Sequence, residues 1–293
     1  METERLFFEN TVIIGVGLIG GSLAIELRDK GLVRNLIGVG RGIKNLESAK
    51  RLNVVDSFTL DIKEAVKDAD LVVVAVPVEK SISVMKECLK FLKKGAIMTD
   101  VGSVKGRIVD EIGPLVPEHV DFIPGHPIAG TEFSGVESAL KGLFKGRKCI
   151  LTPFERTAKP ALDKIRLMWE QAGSTVVMMD AERHDRILAG VSHLPHMIAY
   201  CLVNTVADMD EGQSEILGYS AGGFRDFTRI TSSSPEMWAE VGSLNKDEIF
   251  AMLNAFEIRL KRLKTLISEG RFEELKKDFE RAKTIRDSLN VKH

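Results

Sequence analysis

Apolar residues follow two patterns along the chain, and the change between them divides it. In the first half, short β-branched runs at 11–15, 36–39, 71–76, 96–99, 148–151 and 175–179 alternate with amphipathic stretches such as 19–30, 45–52 and 81–92. Runs that are apolar at every position belong to strands covered on both faces. Their alternation with helices predicts βαβ units and an α/β fold with a doubly wound parallel sheet. After Asp180 no run reads as a strand. Residues 182–206 predict one long, mostly apolar helix with a local distortion at Pro195. Ile249, Met252, Leu253, Phe256, Leu260 and Leu263 recur at helix spacing opposite a charged face. Gly270 ends that helix and residue 272 begins another. The patterns predict domains at 1–180 and 181–293, the second all-α. The long helix is apolar around too much of its girth for a lone surface helix. It is buried either within one subunit or, in the preferred reading, in a homodimer.

Composition adds little to this picture but closes some alternatives. The chain has 293 residues, 44% hydrophobic and 28% charged, enough to bury a core without staples. A net charge of -1 provides no global field for nucleic acid or an anionic membrane. The first ten residues lack a signal-peptide core, and no apolar run reads as long enough to span a bilayer, so the expectation is a cytoplasmic protein. Cys88, Cys149 and Cys201 match neither a zinc pattern nor a disulfide framework and are expected to be free thiols.

The first strand runs into T-V-I-I-G-V-G-L-I-G-G-S, a G-x-G-x-x-G pattern between a strand and a helix. Gly15 permits the tight turn, Gly17 lets the backbone approach a pyrophosphate, and Gly20 allows close packing of helix on strand. With Leu18 and Ile19 these residues open a helix whose free N–H groups and positive dipole end face the phosphates. This predicts a Rossmann domain holding NAD or NADP, with Val76 at the end of the 71–76 strand as a further contact. An NAD-binding domain usually places an acid at the end of its second strand. Here Gly40 stands there and Arg41 follows, which points toward a 2′-phosphate and NADP. The alternative is an Arg41 that stacks on adenine or faces solvent.

Three further segments carry unusual polar residues. In T-D-V-G-S-V-K-G, Ser103 follows a strand at the carboxyl edge of the sheet, where such sheets bind ligands; it is a helix cap, a ligand, or both. In F-I-P-G-H-P-I-A-G-T-E, His126 is expected on a stiff turn between Gly125 and Pro127. A neutral imidazole suits proton abstraction from an alcohol that is losing hydride; the other reading is a structural histidine. In the helical half, V-S-H-L-P-H and G-G-F-R-D-F-T-R-I stand out. His193 and His196 lack the Cys or Glu that would complete a metal site, so no metal is expected. Arg225 and Arg229 flank Asp226: they grip a substrate carboxylate, or pair with that aspartate on the surface.

Together these segments resemble the prephenate dehydrogenase family, which includes arogenate and cyclohexadienyl dehydrogenases. The matching pieces, G-V-G-L-I-G-G-S, D-V-G-S-V-K, G-H-P-I-A-G-T-E, V-S-H-L-P-H and G-G-F-R-D-F-T-R-I with Trp238 after them, cover most of the chain. The resemblance implies an N-terminal Rossmann domain and a C-terminal helical dimerisation domain. It implies oxidative decarboxylation of prephenate to 4-hydroxyphenylpyruvate, on the route to tyrosine, with NAD as the usual cofactor. His126 matches the catalytic histidine and Ser103 the serine that assists it. Arg229 matches the residue that binds a substrate carboxylate. Ser192, His196 and Ser233 match further pocket positions, and Glu132 and Asp226 match acidic residues that shape the pocket. Arogenate, with an amine in place of the keto group, is the nearest alternative substrate. A non-catalytic dinucleotide sensor is the remote one. With no evident room for a regulatory or mutase domain, the resemblance implies one activity, and competition at the active site if tyrosine inhibits.

Overall fold

The computed structural model describes residues 7–131, 133–209 and 215–289. Glu132, one of the expected pocket residues, lies outside them. The order begins β1 (Phe8–Ile14), α1 (Leu18–Asp29), β2 (Val33–Val39), α2 (Ile43–Arg51), β3 (Ser57–Thr59), α3 (Ile62–Val66), β4 (Leu71–Val74) and α4 (Val78–Cys88). It continues with β5 (Ile97–Asp100), α5 (Gly106–Ile112), β6 (Asp121–Ile123), β7 (Gly125–Pro127), β8 (Lys148–Leu151), α6 (Lys159–Gln171) and β9 (Thr175–Met178).

Six strands form one parallel sheet in the order β3-β2-β1-β4-β5-β6. Val12 is in register with Ile37 on one side and with Val72 on the other, so β1 is central. All four residues of β4 are buried, as a strand covered on both faces requires. The strand order reverses between β1 and β4, and open α/β sheets bind ligands outside the carboxyl ends of strands at such a point. A second sheet, β7-β8-β9, pairs β7 antiparallel to β8 and puts His126 opposite Ile150. His126 therefore sits within a paired strand and not on a turn. Gly125 and Pro127 on either side of it hid a pairing partner more than twenty positions away.

Helices α7 (Ala181–Leu188) and α8 (Leu194–Asp208) form the long apolar element. Asp180 caps α7 by accepting the Arg183 N–H at 2.7 Å. Between the two lies a π-helical turn, Ala189–His193. Pro195 has no N–H to give to an i−4 carbonyl, and widening the preceding turn accommodates its ring. The distortion expected at Pro195 thus falls just ahead of it. One expectation needs correction. Ala181–Asp208 is 28 residues long, with mean hydropathy 1.3 over its most apolar window, so by length and composition it could cross a membrane. From Ile187 to Ala207 there is no Asp, Glu, Lys or Arg, and the intervening Gly, His and Pro residues hid the length of this stretch.

After α9 (Glu215–Gly218) and α10 (Gly222–Thr228) comes α11 (Pro235–Leu244), which packs on α4, while α7 packs on α5. The chain forms two compact units, Met1–Lys246 and Asp247–His293, and the helices up to α11 belong with the sheet. Most of the second unit is α12 (Lys246–Ser268) and α13 (Phe272–Leu289), separated at Gly270 in the left-handed region and joined by Arg262 Nε to Asp278 at 2.7 Å.

Candidate active site

The dinucleotide turn is built by exclusion of side chains. Gly15 has φ +96°, and a Cβ there would lie 2.4 Å from the Ala75 carbonyl oxygen at the end of β4. A Cβ on Gly20 would lie 2.3 Å from the Gly15 carbonyl and 2.9 Å from Ile13, so helix and strand touch through this glycine. Gly17 differs: a Cβ there would meet nothing within 4 Å, which leaves open space on the cleft side. Gly17 caps α1 without any side-chain hydrogen bond, and the first N–H groups of the helix stay available to an anion.

This turn opens onto a cleft of about 650 Å³, a size suited to a cofactor. Gly15, Gly17, Val76 and Arg41 line it. Leu18 and Gly20 are buried beneath it and Ile19 is half-buried. Lys80 joins Arg41 in the lining, and among the described residues no carboxylate does. The open space at Gly17 and the free start of α1 fit a dinucleotide pyrophosphate.

His126 carries the centre of the site. Its Nδ1 lies 2.8 Å from Nε2 of His184, whose own Nδ1 lies 2.7 Å from Asp185 Oδ1. Asp185 also accepts the N–H groups of Lys105 and Gly106, each at 2.8 Å, and so caps α5 from another part of the chain. A carboxylate can only accept, so His184 donates from Nδ1 and presents a lone pair at Nε2. His126 must then donate from Nδ1, which leaves its Nε2 as a free acceptor. Burial, followed by the charges of His184, Lys105 and His193, pushes the His126 pKa well below the usual histidine value. Burial pushes His184 down as well, against the pull of Asp185. Both rings are neutral at neutral pH, and the pair leaves one basic nitrogen, His126 Nε2, without a hydrogen bond among the described residues.

The loop before α5 holds this pair in place. Lys105 forms a fully buried ion pair with Asp100 and donates to the Gly125 carbonyl at 2.7 Å. Asp100 accepts N–H groups from Gly102 at 2.8 Å and Gly125 at 3.3 Å. Ser103 lies on the same half-buried loop, and its hydroxyl has no partner among the described residues. It does not cap α5; Asp185 does that.

The helical residues form a second group. The ring of His196 stacks on Trp238 with centroids 3.7 Å apart, and its Nδ1 donates to the Ser192 carbonyl at 2.8 Å. Burial lowers its pKa, so its Nε2 is also an acceptor. Ser233 receives the Trp238 indole N–H at 2.8 Å and donates to the Ile230 carbonyl at 2.5 Å. Its hydroxyl is thus committed to holding Trp238. Asn245 donates to the Asp185 carbonyl at 2.9 Å and contacts His193 Nδ1 at 3.1 Å, which ties this group to the first. Arg229 begins a 3-10 turn that packs against α8. Asp226 is exposed and pairs with no arginine among the described residues.

Sequence reasoning missed Asp100, Lys105, His184, Asp185 and Asn245. A usable signal existed for some of them. Asp100 ends an otherwise apolar run, Lys105 follows in the same loop, and His184-Asp185 are adjacent at the start of an apolar helix.

Comparison with known proteins shows the family. Residues 23–178 match the nucleotide-binding domain of prephenate dehydrogenase, and 180–281 match the prephenate dehydrogenase dimerization domain. A cyclohexadienyl dehydrogenase of Zymomonas mobilis is 35% identical over 98% of both chains. A prephenate dehydrogenase of Bacillus subtilis is 32% identical over 97% of this chain and 77% of its own. The crystal structure of Aquifex aeolicus prephenate dehydrogenase with hydroxyphenyl propionate and NAD+ superposes with TM-score 0.92 at 36% identity, covering 98% of this chain and 100% of that one. The chain belongs to the prephenate dehydrogenase family of oxidoreductases.

Proposed function

We propose that the chain oxidises and decarboxylates prephenate to 4-hydroxyphenylpyruvate. The observation that carries the reading is the hydrogen-bond-free Nε2 that the His184–Asp185 pair leaves on His126. When bound, the nicotinamide supplies the hydride acceptor. His126 Nε2 takes the proton of the ring hydroxyl as the C–H bond at the same carbon breaks, which leaves a ketone. The ring carboxylate then departs as carbon dioxide, its electrons enter the ring, and the phenol oxygen recovers a proton. Aromatisation makes the sequence effectively irreversible. The charge that His126 gains is shared through His184 with Asp185, and positioning does most of the remaining work.

Ser103, with a free hydroxyl near this loop, assists at the reacting hydroxyl. Arg229 receives a substrate carboxylate, with Ser192 and His196 as neutral donors and acceptors beside it. Asp226 and Glu132, the latter outside the described residues, serve as the acidic residues of the substrate pocket. In this reading the functional boundary between cofactor and substrate domains stays near Asp180.

The cleft favours NADP. Among the described residues Arg41 lacks any partner, Lys80 lines the same cleft, and no carboxylate lines it to receive a ribose 2′-hydroxyl. The chain works as a homodimer. Of α8 only Ala199 is buried, and Phe250 and Ile258 of α12 are 63% and 67% exposed. A second copy covers these faces better than lipid does, because the long helix carries the buried His184, Asp185 and His193 at its start. Cys88, Cys149 and Cys201 are all free thiols, consistent with a reducing cytoplasm.

The name of the Zymomonas relative favours a second reading, in which arogenate is accepted as well. Cofactor reduction by purified protein, with prephenate or arogenate against NAD+ or NADP+, tests all of this. Turnover with prephenate, faster with NADP+, is the expected result. Turnover with arogenate alone would replace the substrate, and folded protein without turnover would overturn the enzymatic reading.

A further inference from the structure

Burying an ion pair is offset only where geometry and additional hydrogen bonds satisfy both partners. Around Lys105 and Asp100 those additional bonds converge on the base. The Lys105 ammonium and the Asp100 carboxylate hold the carbonyl and the N–H of Gly125, the residue before His126. The backbone N–H of Lys105 holds Asp185, which orients His184, which in turn contacts His126. We propose that Lys105 is a positioning residue for His126, fixing its backbone through the ammonium and its ring through Asp185 and His184. The inference rests on His126 being the proton acceptor.

The groups facing His126 can be named element by element. Asp100 comes from β5, Lys105 from the loop before α5, His184 and Asp185 from α7, and His193 from the π turn. Cys149 lies beneath on β8, and burial pushes its thiol up, so it stays neutral. Lys105 is thus the cation of this set, and its charge opposes protonation of His126. Losing it should both raise the affinity of His126 for a proton and release its ring from one tautomer.

Nitrogen-15 NMR of histidine-labelled full-length protein reads both effects without substrate, so failure of the prephenate reading leaves the test intact. His126→Asn identifies the resonance. In the unaltered protein the His126 ring should be neutral at neutral pH with its proton on Nδ1 and should titrate below the usual histidine range. In Lys105→Met the titration midpoint should rise by about one pH unit or more, with both tautomers populated. The acid limb of kcat should rise with it, and kcat should fall about tenfold or more while the Kd for dinucleotide stays unchanged. If Lys105→Met does not fold, the charge-free pair Asp100→Asn/Lys105→Met takes its place with the same expectation. A folded variant with unaltered His126 titration and tautomer overturns the proposal, as does an Nε2–H tautomer in the unaltered protein.

Discussion

Trp238 and His196 stack with their planes within 24° of each other, and Ser233 holds the indole N–H that fixes the stack. The serine therefore reaches the pocket through Trp238. Ser233→Ala should cost about 1 kcal/mol of stability for the lost hydrogen bond. It should raise KM for substrate several-fold and leave the affinity for dinucleotide unchanged. A raised dinucleotide Kd in a binding titration would place Ser233 elsewhere.

The two glycines of the phosphate turn should separate folding from binding. Gly17→Ala meets open space at φ −113°, so its melting temperature should match the parent while dinucleotide affinity falls. Gly20→Ala forces a Cβ onto the Gly15 carbonyl and should destabilise by about 1–3 kcal/mol. Thermal melts with and without dinucleotide check the pair; equal destabilisation of both would show that the cleft side of Gly17 is not free.

Cofactor choice should follow the end of β2. A Cβ at Gly40 meets nothing nearer than 3.6 Å, so Gly40→Asp can fold without strain. That variant should shift the NADP+/NAD+ affinity ratio about tenfold or more toward NAD+, because the new carboxylate accepts from a ribose hydroxyl and repels a 2′-phosphate. Arg41→Ala should weaken NADP+ alone. An unchanged ratio in both would exclude this end of the cleft from cofactor choice.

Stability should fall on mild acidification. Burial lowers the His193 pKa from 6.5 to about 4, so the unfolded chain takes up a proton where the folded chain does not. Stability contributed by neutral His193 is full above pH 6.5 and is lost as pH falls toward 4, by roughly 3 kcal/mol in all. His126, His184 and His196 are shifted the same way and should steepen the loss. Melting temperatures measured across this range should decline; a flat profile would mean that these rings are not buried neutral.

Much of the fold was legible because local chemistry and tertiary role agree. Strand β4 is a continuous apolar run, the buried end of β1 (Val12–Ile14) and the start of β5 (Ile97, Met98) are apolar, and the Gly15–Gly20 turn is written in consecutive residues. What escaped depends on distant pairing. β3 is a three-residue edge strand with an exposed first residue, too short and too polar to stand out. The strand character of His126 comes from β8, and the role of Asp185 comes from N–H groups in the loop before α5. A buried Lys105 looks in sequence like any lysine near a helix start, since its burial is set by Asp100 and Gly125. The apolar stripe of α12 was legible as a helix face, yet Phe256 and Leu260 are exposed on the single chain, as a face awaiting another surface would be.

The role of His126 is the centre of this account, and one variant tests it most directly. His126→Asn should lower kcat with prephenate by about a hundredfold or more, the scale of losing a general base, while dinucleotide Kd and melting temperature stay near those of the parent. A folded His126→Asn enzyme that binds dinucleotide and keeps near-full kcat would contradict it.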